Sequence, residues 1–309
     1  MVATRDEHSN LLGDAPATIG AAIERVCDGF EFCDLSYGHG SDNAWDEAVF
    51  LVLAASGLPL DADSSAAAQL LSDEQWARIC GWYQRRVVER KPLPYLMGRA
   101  WFAGIEFLCD ERALVPRSPL AEVIQNQYAP WWQSGSPQTL LDLCCGGGCI
   151  GIAAALYGES LDVVLADVDR NALALAQENV ERHQLNHRVS TAQSDLWSSL
   201  GGQRFDIILS NPPYVDASDL ASMPAEYHAE PPIGLGSGPD GLDASRIILK
   251  GAVQFLNPSG LLFLEVGNSW EALDKLLASA APTWLELEGG GHGVMVVRAE
   301  ELPAIAELL

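Results

Sequence analysis

Leu141-Asp142-Leu143-Cys144-Cys145-Gly146-Gly147-Gly148-Cys149-Ile150-Gly151 carries the reading of the fold. The run Thr139 to Leu143 reads as an extended strand, glycines break it, and Ile150 to Tyr157 reads as an apolar helix. A glycine-rich turn between strand and helix lets the backbone approach a nucleotide closely and aims the first helical N–H groups at it. Outward from that turn, strands and helices alternate. Extended runs fall at Val163 to Ala166, Val189 to Ala192, Ile207 to Ser210, Leu261 to Val266, Trp284 to Leu287 and Val294 to Arg298. Helical patterns fall at Ala172 to His183, Ala244 to Leu256 and Trp270 to Ala278. Such alternation predicts an α/β fold, Rossmann-like, with a mainly parallel seven-stranded sheet covered by helices on both faces. Only Glu288-Gly289-Gly290-Gly291-His292 separates the last two strands, too few residues for a helical crossover, so they must form an antiparallel C-terminal hairpin.

The second strand ends in Ala166-Asp167-Val168-Asp169, about 25 positions beyond Asp142. An acidic side chain there can accept both ribose hydroxyls, so turn and acid together indicate an adenosine-containing ligand. Nicotinamide cofactors and S-adenosylmethionine share this geometry. A pyrophosphate wants the spacing G-x-G-x-x-G, which Cys144 to Cys149 does not supply. That departure and the terminal hairpin favour S-adenosylmethionine, and with it the class I methyltransferase fold. Ser194-Asp195-Leu196-Trp197, after the third strand, is where adenine would lie, with Asp195 accepting from its amino group and Leu196 forming an apolar wall.

The fourth strand ends in Ile207-Ile208-Leu209-Ser210-Asn211-Pro212-Pro213-Tyr214. Ligands of open α/β sheets bind beyond the carboxyl ends of the strands, which puts this tetrad over the reactive end of the cofactor. A planar amide or aromatic amine is a poor nucleophile because its nitrogen lone pair is delocalised. Two acceptors, the Asn211 side-chain carbonyl and the Pro212 backbone carbonyl, would hold its N–H groups so that the lone pair faces a methyl sulfonium. The prolines stiffen the turn and Tyr214 offers a flat face for stacking. Asn211, Pro212 and Tyr214 are the candidate catalytic residues, and Asn211, Pro212, Pro213 and Tyr214 the candidate substrate clamp.

Ahead of the sheet the chain changes character. Apolar positions recur at helical spacing in Ile19, Ala22, Ile23, Val26 and in Ala44, Ala48, Leu51, Val52, and Ser72 starts a helix that carries Arg85, Arg86, Arg90 and Lys91 near its end, before Pro92 and Pro94. The first sixty-odd residues hold Asp6, Glu7, Asp14, Glu24, Asp28, Glu31, Asp34, Asp42, Asp46, Glu47, Asp61 and Asp63 against Arg5 and Arg25. Trp101 to Phe107 and Ala113 to Val115 read as a hairpin turning near Asp110-Glu111-Arg112, and a helix after Glu122 runs towards Trp131. The chain of 309 residues thus divides into an all-α N-terminal domain over 1–98, a linking hairpin over 99–115 and the α/β domain over 116–309. With 42 Asp+Glu against 18 Lys+Arg the formal charge is −24, which disfavours stable binding of nucleic acid or anionic membrane. No apolar run is long enough to cross a bilayer, Met1 to His8 carries no signal segment, and seven cysteines without regular spacing suit a reducing compartment, so the expected location is the cytoplasm. Cys144, Cys145 and Cys149 lack a second Cys or His pair, and no metal is expected.

Asn211-Pro212-Pro213-Tyr214 on this fold, preceded by Pro94-Tyr95-Leu96-Met97-Gly98 and Val115-Pro116-Arg117, resembles the protein glutamine side-chain methyltransferases, which methylate the amide nitrogen of a Gln-Gly site in translation proteins. The release factor branch, acting on the Gly-Gly-Gln glutamine, carries Pro-Arg-Pro-acid-Thr-Glu. This chain has Pro116-Arg117-Ser118-Pro119, Leu143-Cys144, Glu230-Pro231 and Gly238-Pro239-Asp240-Gly241-Leu242, and is similar to the branch acting on large-subunit ribosomal protein L-three. The resemblance implies that the cofactor is held by Asp142, Cys144, Cys145, Gly146, Gly147, Gly148, Asp167, Asp195, Leu196 and Asn211, with Arg117 near its entrance, and that the N-terminal helices help recognise the protein substrate. Cys144 stands where the family's first turn glycine is usual, and Cys145 where a hydroxyl residue is, so contacts there must use backbone groups. An exocyclic-amine methyltransferase of RNA or DNA, and a non-catalytic S-adenosylmethionine-binding assembly factor, are the rival readings. The acidic charge opposes the first and the intact tetrad the second.

Overall fold

The computed structural model describes residues 12–309, and the segment Met1 to His8 discussed above, with Asp6 and Glu7, lies outside them. The chain separates into two compact units. Among the described residues the first comprises 12–100 with Cys109–Glu111 and Pro224–Ala229, and the second comprises Trp101–Leu108, Arg112–Met223 and Glu230–Leu309. No local pattern announces that Pro224–Ala229 belongs with the N-terminal helices.

In the first unit, helices span Ile19–Phe32, Ala44–Ser56 and Asp73–Val88. Thr18, Asn43 and Ser72 cap them through their side chains, and Ser72 with Gln75 closes a reciprocal capping box. Ile19, Ala22, Val26, Ala48, Leu51 and Val52 are buried with Phe30, Ile79 and Tyr83, the face that the helical spacing marks. The third helix stops before either proline. Pro94 sits in the first turn of a short helix, Leu93–Met97, where its missing N–H costs nothing.

Among the apolar side chains of this unit lies an ionic cluster. Arg86, 1% exposed, donates from Nε to Glu47, from Nη1 to Glu226 at 3.1 Å and from Nη2 to the Ser36 carbonyl at 2.8 Å. Arg90 donates to the same Glu226 oxygen at 3.1 Å, and Ser41 donates to Glu47 at 2.8 Å. Burial raises the Glu226 carboxyl, but hydrogen bonds from backbone amides and from Arg86 and Arg90 outweigh it and hold the group below its usual range. Lys91 pairs with Glu111, and Arg85 lies 3.5 Å from Glu89. The basic residues that cluster in the sequence are therefore buried or paired.

β1 (Arg99–Phe102), whose last two residues open the second unit, forms a two-stranded sheet with β2 (Ile105–Leu108). The turn is Ala103-Gly104, with φ of 50° and 78°, the left-handed pair that suits hairpin twist. The sequence places that turn at Asp110-Glu111-Arg112 and a strand at Ala113 to Val115. The structure corrects both, because Ala-Gly carries none of the Asn or Asp signal of such turns and Ala113 to Val115 is irregular. The helix after Pro119 spans only Leu120–Gln125, since Gln127 and Tyr128 turn left-handed, and Trp131 and Trp132 pack on the sheet core.

Seven strands follow: β3 (Thr139–Leu143), β4 (Asp162–Asp167), β5 (Val189–Gln193), β6 (Phe205–Ser210), β7 (Leu256–Glu265), β8 (Thr283–Trp284) and β9 (Val294–Arg298). Their order is 5-4-3-6-7-9-8, parallel from β5 to β7, with β9 antiparallel to both β7 and β8. This is the expected class I methyltransferase sheet. Side chains alternate between two apolar layers: Leu140, Ile207, Leu209, Phe263 and Val296 face one, Leu141, Leu143, Ile208, Leu264 and Val297 the other.

Replacing Arg86 by alanine leaves Glu47 buried without its cation and Glu226 with Arg90 alone. The expected result is a loss of about 3–5 kcal/mol in the first unit, read as an earlier urea transition in far-UV circular dichroism. An unshifted transition would show that the cluster is solvated.

Candidate active site

The site is built within the second unit, where the strand order reverses. β3 and β6 are neighbours with Leu143 opposite Ser210, and Ser210 Oγ donates to the Leu143 carbonyl at 2.7 Å. The loops leaving these two strands, Cys144 to Gly148 and Asn211 to Tyr214, therefore open side by side at the carboxyl edge of the sheet, the crevice where open α/β sheets bind ligands.

The first loop is tightly determined. Cys144 has φ of 64°, a left-handed conformation that a side chain rarely adopts, and the Cys145 N–H donates to the Ala166 carbonyl at 3.0 Å. Gly148 has φ of 81°, and a Cβ on it would lie 3.0 Å from Leu165, so only glycine passes from the turn into the helix Cys149–Tyr157. Asn179, completely buried on the helix Arg170–Arg182, donates to the Gly147 carbonyl at 3.0 Å and to the Leu108 carbonyl at 3.2 Å, and accepts from the Leu108 N–H at 2.8 Å. It fastens the glycine turn to β2. Sequence reasoning passed over it as one more helical polar residue.

Three carboxylates gather around this loop. Asp167, ending β4, accepts from the Gly146 N–H at 2.8 Å and the Asp169 N–H at 2.9 Å. Burial pushes its carboxyl up against those hydrogen bonds. An ionised carboxylate has about four lone-pair positions, so acceptor capacity for ribose hydroxyls remains. Asp142 is wholly buried, and its Oδ2 accepts from the Gly151 N–H at 2.8 Å while Oδ1 meets no hydrogen-bond partner. Burial and, less, the Asp167 charge raise it to about 7. Asp195 is exposed beyond β5, close enough that, with Asp167 and Asp142, its charge adds to the effect of burial in raising the Cys144 thiol. Leu196, with φ of 45°, is half-buried beside it. The Cys144 and Cys145 thiols are pushed well up by burial and by these acids, so they stay protonated. Among the described residues no group of His, Cys, Asp and Glu is arranged to hold a metal ion. A glycine cradle lined by acids, with a buried unpartnered acceptor beneath it, fits a cationic adenosine cofactor.

The second loop is anchored at its far end. Pro212 is buried, Asn211, Pro213 and Tyr214 half-buried. The Tyr214 ring covers Gly267, where a Cβ would stand 2.3 Å from Cε2, and the Tyr214 carbonyl accepts from Ser269 Oγ at 2.8 Å. Gly241, from the stretch Gly238 to Leu242, is packed on the same carbonyl. Arg117 forms a two-pronged pair with Glu230, at 2.7 and 2.6 Å, and Glu230, 2% exposed, also accepts from the Val115 N–H at 2.9 Å. The structure thus brings Arg117 to Glu230, which pins the Val115 to Pro119 loop. Ser118 donates to Glu265 at the end of β7, a residue that the sequence did not single out.

The family model of the methyltransferase small domain matches residues 121–226. A ribosomal protein uL3 glutamine methyltransferase of Francisella tularensis subsp. tularensis is 46% identical over 267 residues, covering 86% of this chain and 85% of that protein. One of Xanthomonas campestris pv. campestris is 44% identical over 275 residues, covering 89% of each. This chain belongs to the family of uL3 glutamine methyltransferases. It is accordingly an S-adenosylmethionine-dependent protein methyltransferase, as the glycine turn, Asp167 and the Asn211 to Tyr214 loop led the sequence to imply.

On the expectation that Asp167 takes the ribose, Asp167→Ala should remove acceptors for two hydroxyls, each hydrogen bond to a charged group being worth about 1.5–3 kcal/mol. Calorimetric titration with S-adenosylmethionine should show affinity falling ~100-fold or more. A change below about threefold would place the ribose elsewhere.

Proposed function

We propose that the protein methylates the side-chain amide nitrogen of a glutamine in ribosomal protein uL3, with the Asn211 to Tyr214 loop as the amide clamp. The observation that carries this reading is the pairing of that loop with the glycine turn on neighbouring strands, in a chain whose relatives are named for that activity. S-adenosylmethionine, when bound, supplies an electrophilic methyl group on a sulfonium. The Asn211 side-chain carbonyl and the Pro212 carbonyl accept the two N–H bonds of the amide and turn its lone pair toward that methyl. Pro213 stiffens the turn and Tyr214 stacks on the amide plane. The nitrogen loses one proton after it gains the methyl carbon, so the clamp needs no strong base. Gly146, Gly147 and Gly148 present backbone groups to the cofactor, with Cys144 and Cys145 shaping the turn. Asp167 takes the ribose, Asp195 and Leu196 take the adenine, and Asp142 Oδ1 is the acceptor for the cationic end.

Charge supports the choice of substrate. A ribosomal protein is basic, and a chain of net charge −24 attracts it over distances that salt shortens. The N-terminal helical unit, whose first sixty-odd residues hold twelve acids against two arginines, is the part we assign to recognising uL3. Stable binding of nucleic acid is opposed by the same charge and by the internal pairing of Arg85, Arg86, Arg90 and Lys91. No helix among the described residues is long and apolar enough to cross a membrane. All seven cysteines are free thiols, in keeping with action in the reducing cytoplasm.

Labelled S-adenosylmethionine offered separately with uL3, a release factor and total RNA should label a uL3 glutamine, located by peptide mass. Label confined to RNA or to the release factor would overturn the reading. Asn211→Ala should abolish transfer and leave cofactor affinity nearly unchanged. Raising salt from 50 to 300 mM should raise KM for uL3 several-fold with kcat steady; an unchanged KM would make the charge a bystander.

A further inference from the structure

Glu265 ends β7 one position past Leu264, which pairs with Ser210, so it stands level with the start of the clamp. Its side chain is 3% exposed. Oε2 accepts from Ser118 Oγ at 2.5 Å and Oε1 from Tyr214 Oη at 3.3 Å. The Tyr214 ring is thereby fixed from two directions, its face by the absent side chain of Gly267 and its hydroxyl by Glu265. Ser118 belongs to the loop that Glu230 pins through Arg117 and the Val115 N–H.

We propose that Glu265 is a positioning residue for methyl transfer: its carboxylate, by accepting from Ser118 and Tyr214 together, holds the Tyr214 ring in register with the amide, and turnover requires it ionised. This rests on the assignment of Tyr214 to the glutamine clamp. A carboxylate is acceptor only, with one oxygen for each hydroxyl. Protonation makes one oxygen a donor, so the facing hydroxyl must turn to accept from it, and a charge-assisted bond is replaced by a weaker neutral one that loosens the hold on the ring. The group titrates where this matters, for burial raises it to about 7, while Ser118, Tyr214 and the Arg117 charge pull it back only in part.

The groups around it come from every neighbouring element. The Val115 to Pro119 loop contributes Ser118 and Arg117, the latter neutralised by Glu230. The clamp contributes Tyr214, and the β9 partner is the apolar Val294. Just beyond β7, Asn268 Oδ1 is hydrogen-bonded to the His292 ring at 2.9 Å. Asp142, also raised to about 7, lies beneath the cofactor loop, and the Glu265→Gln and Ser118→Ala profiles separate its ionisation from that of Glu265.

The test is kcat against pH from 5.5 to 9 with uL3 and S-adenosylmethionine saturating. The wild-type rate should rise with pH through a single ionisation near 7. Glu265→Gln should give a profile flat over that range, about tenfold below the wild-type plateau, with unchanged cofactor affinity. Ser118→Ala removes a hydrogen bond that favours the carboxylate, so the midpoint should move to higher pH, and this variant carries the test if Glu265→Gln fails to fold. His292→Gln should keep the wild-type profile. A flat wild-type profile, a Glu265→Gln profile that still titrates, or an unmoved midpoint in Ser118→Ala overturns the role of Glu265 and leaves the methyltransferase reading intact. Absence of transfer to uL3 at every pH overturns that reading itself.

Discussion

The site depends on the adjacency of β3 and β6, where the strand order turns back on itself. Successive strands β3, β4 and β5 step outward in one direction, and β6 must return to the other side of β3. The return leaves a crevice between two loops, the glycine turn that we assign to the nucleoside and the Asn211 to Tyr214 loop that we assign to the amide. Ser210 Oγ, bonded to the Leu143 carbonyl, sits at the base of both. Everything above that bond serves to fix the loops: Asn179 and Asp167 hold the glycine turn, and Gly267, Ser269 and Glu265 hold Tyr214.

The division between legible and hidden features follows the distance along the chain over which each is encoded. The β3 turn, the acid ending β4 and the Asn211 to Tyr214 loop are each written in a few consecutive residues whose backbone demands glycine, proline or a strand end, and they were readable. The terminal hairpin was readable because five residues cannot cross a sheet. Pairings between distant segments were not. Val115 meets Glu230 across 115 positions, Ser118 meets Glu265 across 147, and Leu108 meets Asn179 across 71. None of these side chains has a local pattern that sets it apart from a solvated Ser, Glu or Asn. The first hairpin was misplaced for a related reason: Ala103 takes a positive φ that its residue type does not advertise.

Burial also separates the acids by role. Most of the 42 Asp and Glu set the long-range charge of the molecule. A few, withdrawn from water, act at short range: Glu47 and Glu226 hold a buried arginine, Glu230 a loop, and Asp142 and Glu265 are raised to about 7 at the two halves of the site. Composition reports only the first group. The same contrast applies to the cations: the sequence puts Arg86 in a basic run at a helix end and Arg117 near the cofactor entrance, and in the fold each pairs with a buried acid.

A crystal structure with S-adenosylhomocysteine and a glutamine-bearing uL3 peptide tests the pairing of the two loops most directly. The glutamine amide nitrogen should lie about 3 Å from both the Asn211 side-chain oxygen and the Pro212 carbonyl, facing the sulfur held over Cys144 to Gly148. A glutamine side chain seated away from Asn211, or a nucleoside bound away from Asp167, would contradict it.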